Sequence, residues 1–308
     1  MSARSGAALA GFALVAALTG CSALGGASAD DEEPQIVVTT NILDDVVENV
    51  VGDQADVLTL MKPNADPHSF EVSAQEAARM GEADLVVSNG LGLEEGLQQH
   101  LDRAEQAGAE HFVAGDEIEP LAYSGADAGG AADPHFWTDP ARMVEVVDAL
   151  EERLGQNPRF DAAALNSAAE AYRAELTALD EEMTAAFAAL PAERRALVTN
   201  HHVFGYLAER YDFRVIGAII PGGSTLASPS AADLEDLASA IREAGVPTVF
   251  AESSQPDRLA QVLATEAGVE VDVVELFTES LTEPGEGAED YLTMMRANTE
   301  LMTEGLSR

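Results

Sequence analysis

The strongest constraint on the fold is an alternation of short apolar runs with amphipathic segments, which begins at Gln35 and occurs twice along the chain. The runs are rich in β-branched residues and predict strands at residues 35–40, 56–61, 85–88 and 111–114, and again at 196–199, 214–220, 248–251 and 271–276. Continuous apolar strands separated by helices are typical of parallel sheets covered on both faces. The pattern therefore predicts an α/β fold with two parallel-sheet lobes.

The segments between these runs carry the apolar spacing of helices. In the first half we predict helices at residues 42–51 with Asn41 as the N-cap, at 74–82 with Ser73 as the N-cap, at 93–107, and at 140–154 with Pro140 in the first turn. In the second half we predict helices at residues 203–211, 231–244, 258–267 and 290–306. Residues 117–132, rich in Gly, Ala and Asp, are predicted to form a loop.

Residues 161–190 interrupt the alternation of strands and helices, because they are rich in Ala, Glu and Leu and contain no Gly or Pro. A helix of this length would be a rod of about 45 Å, longer than a typical core helix. We therefore predict one long backbone α-helix that links the two lobes. The predicted organisation is an N-terminal α/β lobe at residues 35–158, a linking helix at 159–191 and a C-terminal α/β lobe at 192–308.

The N-terminus predicts export and lipidation. A short basic start is followed by an apolar run over residues 6–18, too short to span a bilayer but of the length of a signal-peptide core. The run ends in Leu18-Thr19-Gly20-Cys21, which resembles the lipobox of bacterial lipoproteins and contains the only cysteine of the chain. We therefore expect residues 1–20 to be a signal peptide, Cys21 to be lipidated, and residues 21–34 to be a flexible tether at the extracytoplasmic face of the cell membrane.

Charge and missing motifs exclude several classes of function. The chain has 55 acidic and 16 basic residues, a net charge of −39, which repels phosphate backbones and argues against nucleic acid as a partner. The single lysine, Lys62, is not in a P-loop, and the chain has no Gly-x-Ser-x-Gly or His-Glu-x-x-His motif. The segment at residues 90–96 resembles a dinucleotide fingerprint, but its glycine spacing is one residue too long and it contains two glutamates. We therefore interpret it as a turn that begins a helix.

Four histidines stand where a ligand site is expected in such a fold. His68 and His135 each end an Asp-Pro-His tripeptide on a loop, and His201 and His202 directly follow the strand at residues 196–199. The carboxyl ends of parallel strands meet at the ligand-binding edge of a sheet. The aspartate two residues before the histidine could orient the imidazole through its second nitrogen, as metal sites require. His100 and His111 are interpreted as structural or solvated.

These motifs carry a resemblance to a known family. Residues 63–71 (PNADPHSFE), 133–137 (DPHFW), 200–206 (NHHVFGY) and 277–280 (FTES) resemble the metal-binding lipoproteins of ABC importers, of the ZnuA/TroA type. The resemblance runs from about Gln35 to Leu306. It implies two α/β lobes joined by a rigid helix with zinc or manganese held between them. The implied ligands are His68, His135, His201 rather than His202, and Glu279, where the family often has aspartate.

The resemblance implies an extracytoplasmic binding protein, expected to be monomeric, that delivers a metal to an ABC permease and is not an enzyme. Three imidazoles and one carboxylate favour Zn2+ over Mn2+, although residues 117–132 lack the histidines that many zinc-binding members have there. Glu252, at the end of the strand at residues 248–251, is expected to hydrogen-bond a ligand, with direct metal ligation as the alternative. The alternative function is an envelope zinc hydrolase with Glu252 or Glu279 as general base, which would need an open zinc position for water.

Overall fold

The computed structural model describes residues 33–123, 130–220, 222–254, 257–267 and 272–308. Residues 33–308 form one compact unit. The predicted signal peptide, Cys21 and nearly all of the predicted tether lie outside the described residues. None of the helices in the described ranges combines the length and apolarity that a membrane span requires.

The first half of the chain forms a parallel sheet covered on both faces. Its strands are β1 (Gln35–Val38), β2 (Asp56–Thr59), β3 (Leu85–Ser88) and β4 (Glu110–Val113), in the order β2-β1-β3-β4. Its helices are α1 (Asn41–Val51), α2 (Ala74–Glu82), α3 (Gln98–Ala107) and α4 (Pro140–Gly155). Ile36 and Val38 face the core that includes α1 and α4, whereas Val37 faces the core formed with α2 and α3. Side chains alternate along a strand, so both faces are apolar.

The second half repeats this arrangement. Strands β5 (Ala196–Thr199), β6 (Arg214–Ala218), β7 (Thr248–Glu252) and β8 (Asp272–Leu276) are parallel in the order β6-β5-β7-β8. The helices are α6 (Gly205–Tyr211), α7 (Ala231–Ala244), α8 (Arg258–Ala267) and α9 (Tyr291–Leu306). Leu197 and Phe250 face the core shared with α9, and Val198 and Val249 face the core formed with α7 and α8. The prediction of two parallel-sheet α/β lobes is confirmed.

The long helix α5 (Ala162–Ala188) links the two sheets, as predicted. Asp161 caps it by accepting hydrogen bonds from the backbone N–H groups of Ala163 and Ala164. Its buried residues recur every three or four positions, the spacing of one helix face: Leu165, Ala169, Tyr172, Leu176, Leu179, Met183 and Phe187. This face belongs to the same core as Ile36 of β1 and Phe250 of β7, so apolar packing is continuous from one sheet to the other. The exact domain boundaries remain a prediction.

Two local predictions about helix starts are wrong. Thr40, not Asn41, caps α1, because the Thr40 hydroxyl accepts the backbone N–H of Leu43 at 3.4 Å. Helix α3 begins at Gln98 rather than at residue 93. The segment before it forms turns in which the buried Glu94 carboxylate accepts the backbone N–H groups of Asn89 and Gly90 at 2.7 and 3.2 Å. Leu93 and Leu97 are buried four residues apart, a spacing that also fits a helix.

Candidate metal centre

The four residues predicted as ligands come together between the two sheets. His68 lies on the loop after β2, and His135 directly precedes a 3-10 turn at Phe136–Thr138 that leads into α4. His201 follows β5 by two residues, and Glu279 follows β8 by three. All four side chains are buried, and one ligand atom from each lies within 4.8 Å of the others. The carboxyl ends of parallel strands thus build the site, as the topology predicts.

Five of the six separations between the four ligand atoms lie between 3.0 and 3.4 Å. Glu279 Oε1 lies 3.0 Å from His68 Nε2, 3.3 Å from His135 Nε2 and 3.2 Å from His201 Nε2. His135 Nε2 lies 3.4 Å from His68 Nε2 and 3.2 Å from His201 Nε2. The centre of a tetrahedron with edges of about 3.2 Å is about 2.0 Å from each corner, which is the Zn–N and Zn–O bond length in proteins. The arrangement can therefore hold a four-coordinate divalent metal.

His135 is oriented by the aspartate of its own tripeptide. Asp133 Oδ1 lies 2.7 Å from His135 Nδ1 and also accepts the backbone N–H of His135 at 2.9 Å. Burial opposes the charged form of the ring, but the Asp133 carboxylate and Glu279 outweigh burial and raise the pKa of His135. The contact at Nδ1 leaves Nε2 directed at the other ligands, which is the arrangement that metal-binding histidines use.

His201 is oriented by a carboxylate from the neighbouring strand. Glu252, at the end of β7, contacts His201 Nδ1 through Oε1 and accepts the Asn200 side-chain N–H through Oε2 at 3.3 Å. Burial disfavours the charged imidazole, but Glu252 and Glu279 outweigh it and raise the pKa of His201 well above its ordinary value. Glu252 therefore occupies the position expected of a hydrogen-bonding partner. It lies at Nδ1, whereas Nε2 of the same ring faces the other three ligand atoms.

His68 differs from the expected arrangement. Asp66 Oδ1 accepts the backbone N–H of His68 at 2.9 Å, as Asp133 does for His135, but it does not bond the ring. Within the described part of the chain His68 Nδ1 has no hydrogen-bond partner. Asp66 Oδ2 instead accepts the hydroxyl groups of Ser69 at 3.1 Å and of Thr225 at 2.7 Å. The repeated tripeptide thus forms the same turn twice but orients only one imidazole.

Glu279 is the only carboxylate of the four-residue group. Burial by itself would raise its pKa, but the surrounding histidines, His201 first, outweigh burial and hold the pKa well below its usual range. The carboxylate is therefore ionised, with Oε1 shared among three imidazoles. A carboxylate in this state is a ready ligand for a divalent cation.

The remaining histidines lie outside this group. His111 Nε2 is 2.8 Å from Ser88 Oγ, and its Nδ1 is 2.6 Å from Glu105, so it belongs to a separate side-chain network on β4. His100 lies on α3, and His202 lines a small cavity beside Tyr123 and Asp133. Sequence reasoning missed Tyr123, whose ring centroid is 6.2 Å from that of His135, because the predicted loop containing it has no periodic pattern.

The comparisons with known proteins agree with this fold and identify its family. Residues 36–305 match the family described as zinc-uptake complex component A, periplasmic (ZnuA), and the chain belongs to this family. It is similar to the zinc-binding protein TroA of Treponema pallidum, with 31% identity over 285 residues that cover 91% of each chain. The manganese ABC transporter substrate-binding lipoprotein PsaA of Streptococcus pneumoniae is 27% identical over 305 residues, covering 96% of each chain.

Solved structures extend the likeness to three dimensions. The periplasmic zinc-binding protein TroA from Treponema pallidum superposes with a TM-score of 0.83 at 29% identity, covering 90% of this chain and 100% of that one. The Mn-bound periplasmic metal-binding protein from Candidatus Liberibacter asiaticus gives a TM-score of 0.78 at 23% identity, covering 89% of this chain and 100% of that one. At 23% identity, the likeness to the protein from Candidatus Liberibacter asiaticus shows a shared fold alone.

Proposed function

We propose that the protein is an extracytoplasmic solute-binding lipoprotein that captures a divalent metal ion and delivers it to an ABC-type importer. The ligands are His68, His135, His201 and Glu279, and the metal is the transported substrate rather than a resident cofactor. The observation that carries the proposal is the group of four buried ligand atoms within 4.8 Å of one another, five of whose six separations are 3.0–3.4 Å. Membership of the zinc-uptake component A family supports an ABC importer as the partner of this protein.

Zinc is the favoured substrate and manganese the second. Three imidazole nitrogens and one carboxylate oxygen suit tetrahedral zinc, whereas manganese favours more oxygen donors and higher coordination. Related proteins are named for either metal, so the donor set carries this preference.

The electrostatics of the site support binding with proton release. The pKa values of His135 and His201 are raised by neighbouring carboxylates, so these rings retain protons to higher pH than an ordinary histidine. A metal bound through Nε2 requires the neutral ring, and binding therefore displaces any proton held there. Affinity should accordingly increase with pH until the rings are neutral.

Calorimetry on the exported domain tests the ligand assignment. The native protein should bind one zinc ion per chain, and His68→Ala and His201→Ala should each weaken binding more than about 100-fold, since loss of an outer-shell partner alone costs about 10–100-fold. His100→Ala is the matched control, because His100 lies on α3 outside the ligand group and should leave binding unchanged. Wild-type affinity in either ligand variant would remove that residue from the site.

Lipidation at Cys21 supplies the proposed membrane attachment. Two acyl chains on one cysteine give stable anchoring where a single chain does not. Cys21→Ala should move the protein from the membrane fraction to the soluble exported fraction. Unchanged membrane association of this variant would contradict the anchor but would leave the metal-binding proposal intact.

A further inference from the structure

The loop that carries Glu279 is fastened to the first half of the molecule. Glu279 follows β8, the edge strand of the second sheet. The backbone groups on both sides of it, however, are bonded to first-lobe residues. The indole N–H of Trp137 donates to the carbonyl of Thr278 at 2.8 Å, and the backbone N–H of Leu281 donates to Asn41 Oδ1 at 3.0 Å.

Asn41 makes the larger share of these contacts. Its side-chain N–H donates to Ser280 Oγ at 2.9 Å and lies 3.4 Å from the carbonyl of Lys62, while Oδ1 accepts Leu281. Asn41 therefore uses both ends of its amide, and it is only 7% exposed. Its bonds reach the two residues that directly follow Glu279. A buried amide with both ends satisfied fixes the position of the backbone it contacts.

Helix capping does not account for Asn41. The hydroxyl of Thr40 accepts the first-turn N–H of α1, so the Asn41 side chain is not needed to begin the helix. A second first-lobe contact supports the same loop, because the backbone N–H of Asn64 donates to the carbonyl of Leu281 at 2.9 Å. On its second-lobe side, the loop is held where Phe277 exchanges two hydrogen bonds with Asn298 of α9.

His201 is held differently. Its ring contacts Glu252 at the end of β7, and its carbonyl accepts the hydroxyl of Thr199 on β5 at 2.6 Å, so these bonds belong to the second sheet. Beyond the ligand atoms themselves, a bond to the first lobe is made five residues later, where the Tyr206 hydroxyl donates to the carbonyl of Asp133 at 2.8 Å. The two ligands from the second half of the chain are thus attached to opposite sides of the site.

We infer that Asn41 is a positioning residue for the ligand Glu279. It holds Glu279 against the first lobe, the lobe that also carries His68 and His135. Three of the four ligand groups then share one framework, and His201 is the ligand tied to the second sheet. This inference rests on the proposed function. It means that displacement of His201 with the end of β5 opens the metal site while Trp137 and Asn41 keep the Glu279 loop bonded to the first lobe.

The test compares Asn41→Ala and Ser280→Ala with Asn49→Ala. Asn49 lies on the same helix, is exposed, and donates only to the carbonyl of Asp45 one turn earlier, so it is a matched control. Asn41→Ala and Ser280→Ala should each weaken zinc binding about 10–100-fold, the effect of losing an outer-shell partner, and Asn49→Ala should not. The double variant should lose less than the product of the two single losses, because both remove the same hydrogen bond.

A spectroscopic readout separates positioning from general stability. With Co2+ in the site, Asn41→Ala should change the d–d absorption bands of the bound ion, because the carboxylate is displaced, and Asn49→Ala should reproduce the native spectrum. Native bands and native zinc affinity in Asn41→Ala, or fully independent effects of Asn41→Ala and Ser280→Ala, would overturn the inference. If the native protein itself binds no metal, the proposed function fails instead, so the two failures are distinguishable. Should Asn41→Ala fail to fold, Ser280→Ala carries the same test from the other side of the bond.

Discussion

At the residue scale, the two Asp-Pro-His tripeptides form a natural matched pair. Asp66 and Asp133 each accept the backbone N–H of the histidine two residues later at 2.9 Å. Only Asp133 also bonds the ring, at His135 Nδ1. The two aspartates therefore share a structural role in the turn, while only one fixes an imidazole. Substitution at the two positions can separate the two roles.

We predict that Asp133→Asn weakens zinc binding about 10–100-fold, because the ring of His135 loses the carboxylate that orients it and raises its basicity. Asp66→Asn should have a smaller effect, since it changes the turn and the contacts to Ser69 and Thr225 but no ring nitrogen. A competition titration against a chromophoric chelator measures both affinities. Equal losses in the two variants would contradict the distinction.

A second prediction concerns Asp45, a carboxylate enclosed by three helices. It accepts the Tyr172 hydroxyl of α5 at 2.9 Å and lies 3.4 Å from the first backbone N–H of α9. Burial, which outweighs these bonds, raises the pKa of Asp45 to about 6. The folded state therefore binds the proton more tightly than the unfolded state, whose pKa is near 3.8. The stabilisation is present below pH 3.8 and is lost as the pH rises through about 6.

Asp45→Asn removes this titration while keeping the shape of the side chain. The free energy of unfolding of the native protein should fall relative to that of the variant by about 1–3 kcal/mol between pH 4 and pH 7. Denaturant unfolding of both proteins across this range measures the difference. A difference that is independent of pH, or that grows in favour of the native protein at high pH, would show that the Asp45 pKa is not raised.

The sequence predicted the ligand residues more readily than the residues that hold them. His68, His135, His201 and Glu279 stand in short motifs that carry the resemblance to metal-binding lipoproteins, and the resemblance implies them as ligands. Asn41 stands directly before an amphipathic helix, so it was interpreted as a cap, but its partner Ser280 is 239 positions away. Contacts over such distances depend on how the two halves pack, and no local pattern contains that information.

At the scale of elements, α5 is the connection that both sheets share. Its buried stripe belongs to a core that contains residues from β1 and from β7. Leu176, at the middle of the helix, is fully buried, whereas its neighbour Glu175 is exposed. Packing of this stripe, more than helix propensity, therefore stabilises the long helix.

We predict that Leu176→Ala lowers the free energy of unfolding by about 2–5 kcal/mol, through lost transfer energy and the cavity it leaves. Glu175→Ala should change the free energy by less than about 0.5 kcal/mol, since it is a surface substitution. Equilibrium unfolding in urea measures both. A small effect of Leu176→Ala would mean that the core does not depend on the middle of α5.

The elements themselves followed closely from local patterns. Strands β3 and β5 and helices α7 and α8 begin and end at the residues predicted from apolar spacing. The largest difference is at the start of α3, where Glu94 turns inward to bind backbone N–H groups. A glutamate in a sequence that fits a helix is expected to face solvent, so its burial here was not predictable from spacing.

At the scale of the whole molecule, the continuous core through α5 limits how far the two sheets can separate. A hinge between lobes needs a few residues that absorb large dihedral changes, whereas bending α5 would break several backbone hydrogen bonds together. We therefore predict that metal exchange occurs by local displacement near His201 and its neighbouring loops. Small-angle X-ray scattering of the metal-free and zinc-loaded protein should give nearly superimposable curves. A decrease in radius of gyration of the size seen for closure of a hinged two-domain protein would contradict a rigid α5.

In the zinc-loaded protein, three imidazoles and one carboxylate should surround a single divalent metal. Zinc K-edge X-ray absorption of the zinc-loaded protein tests it most directly, because the spectrum reports the number, type and distance of the ligands. We predict four nitrogen or oxygen neighbours at about 2.0 Å, with multiple scattering from three histidine rings. A six-coordinate shell of oxygen donors, or scattering from fewer than three imidazoles, would contradict it.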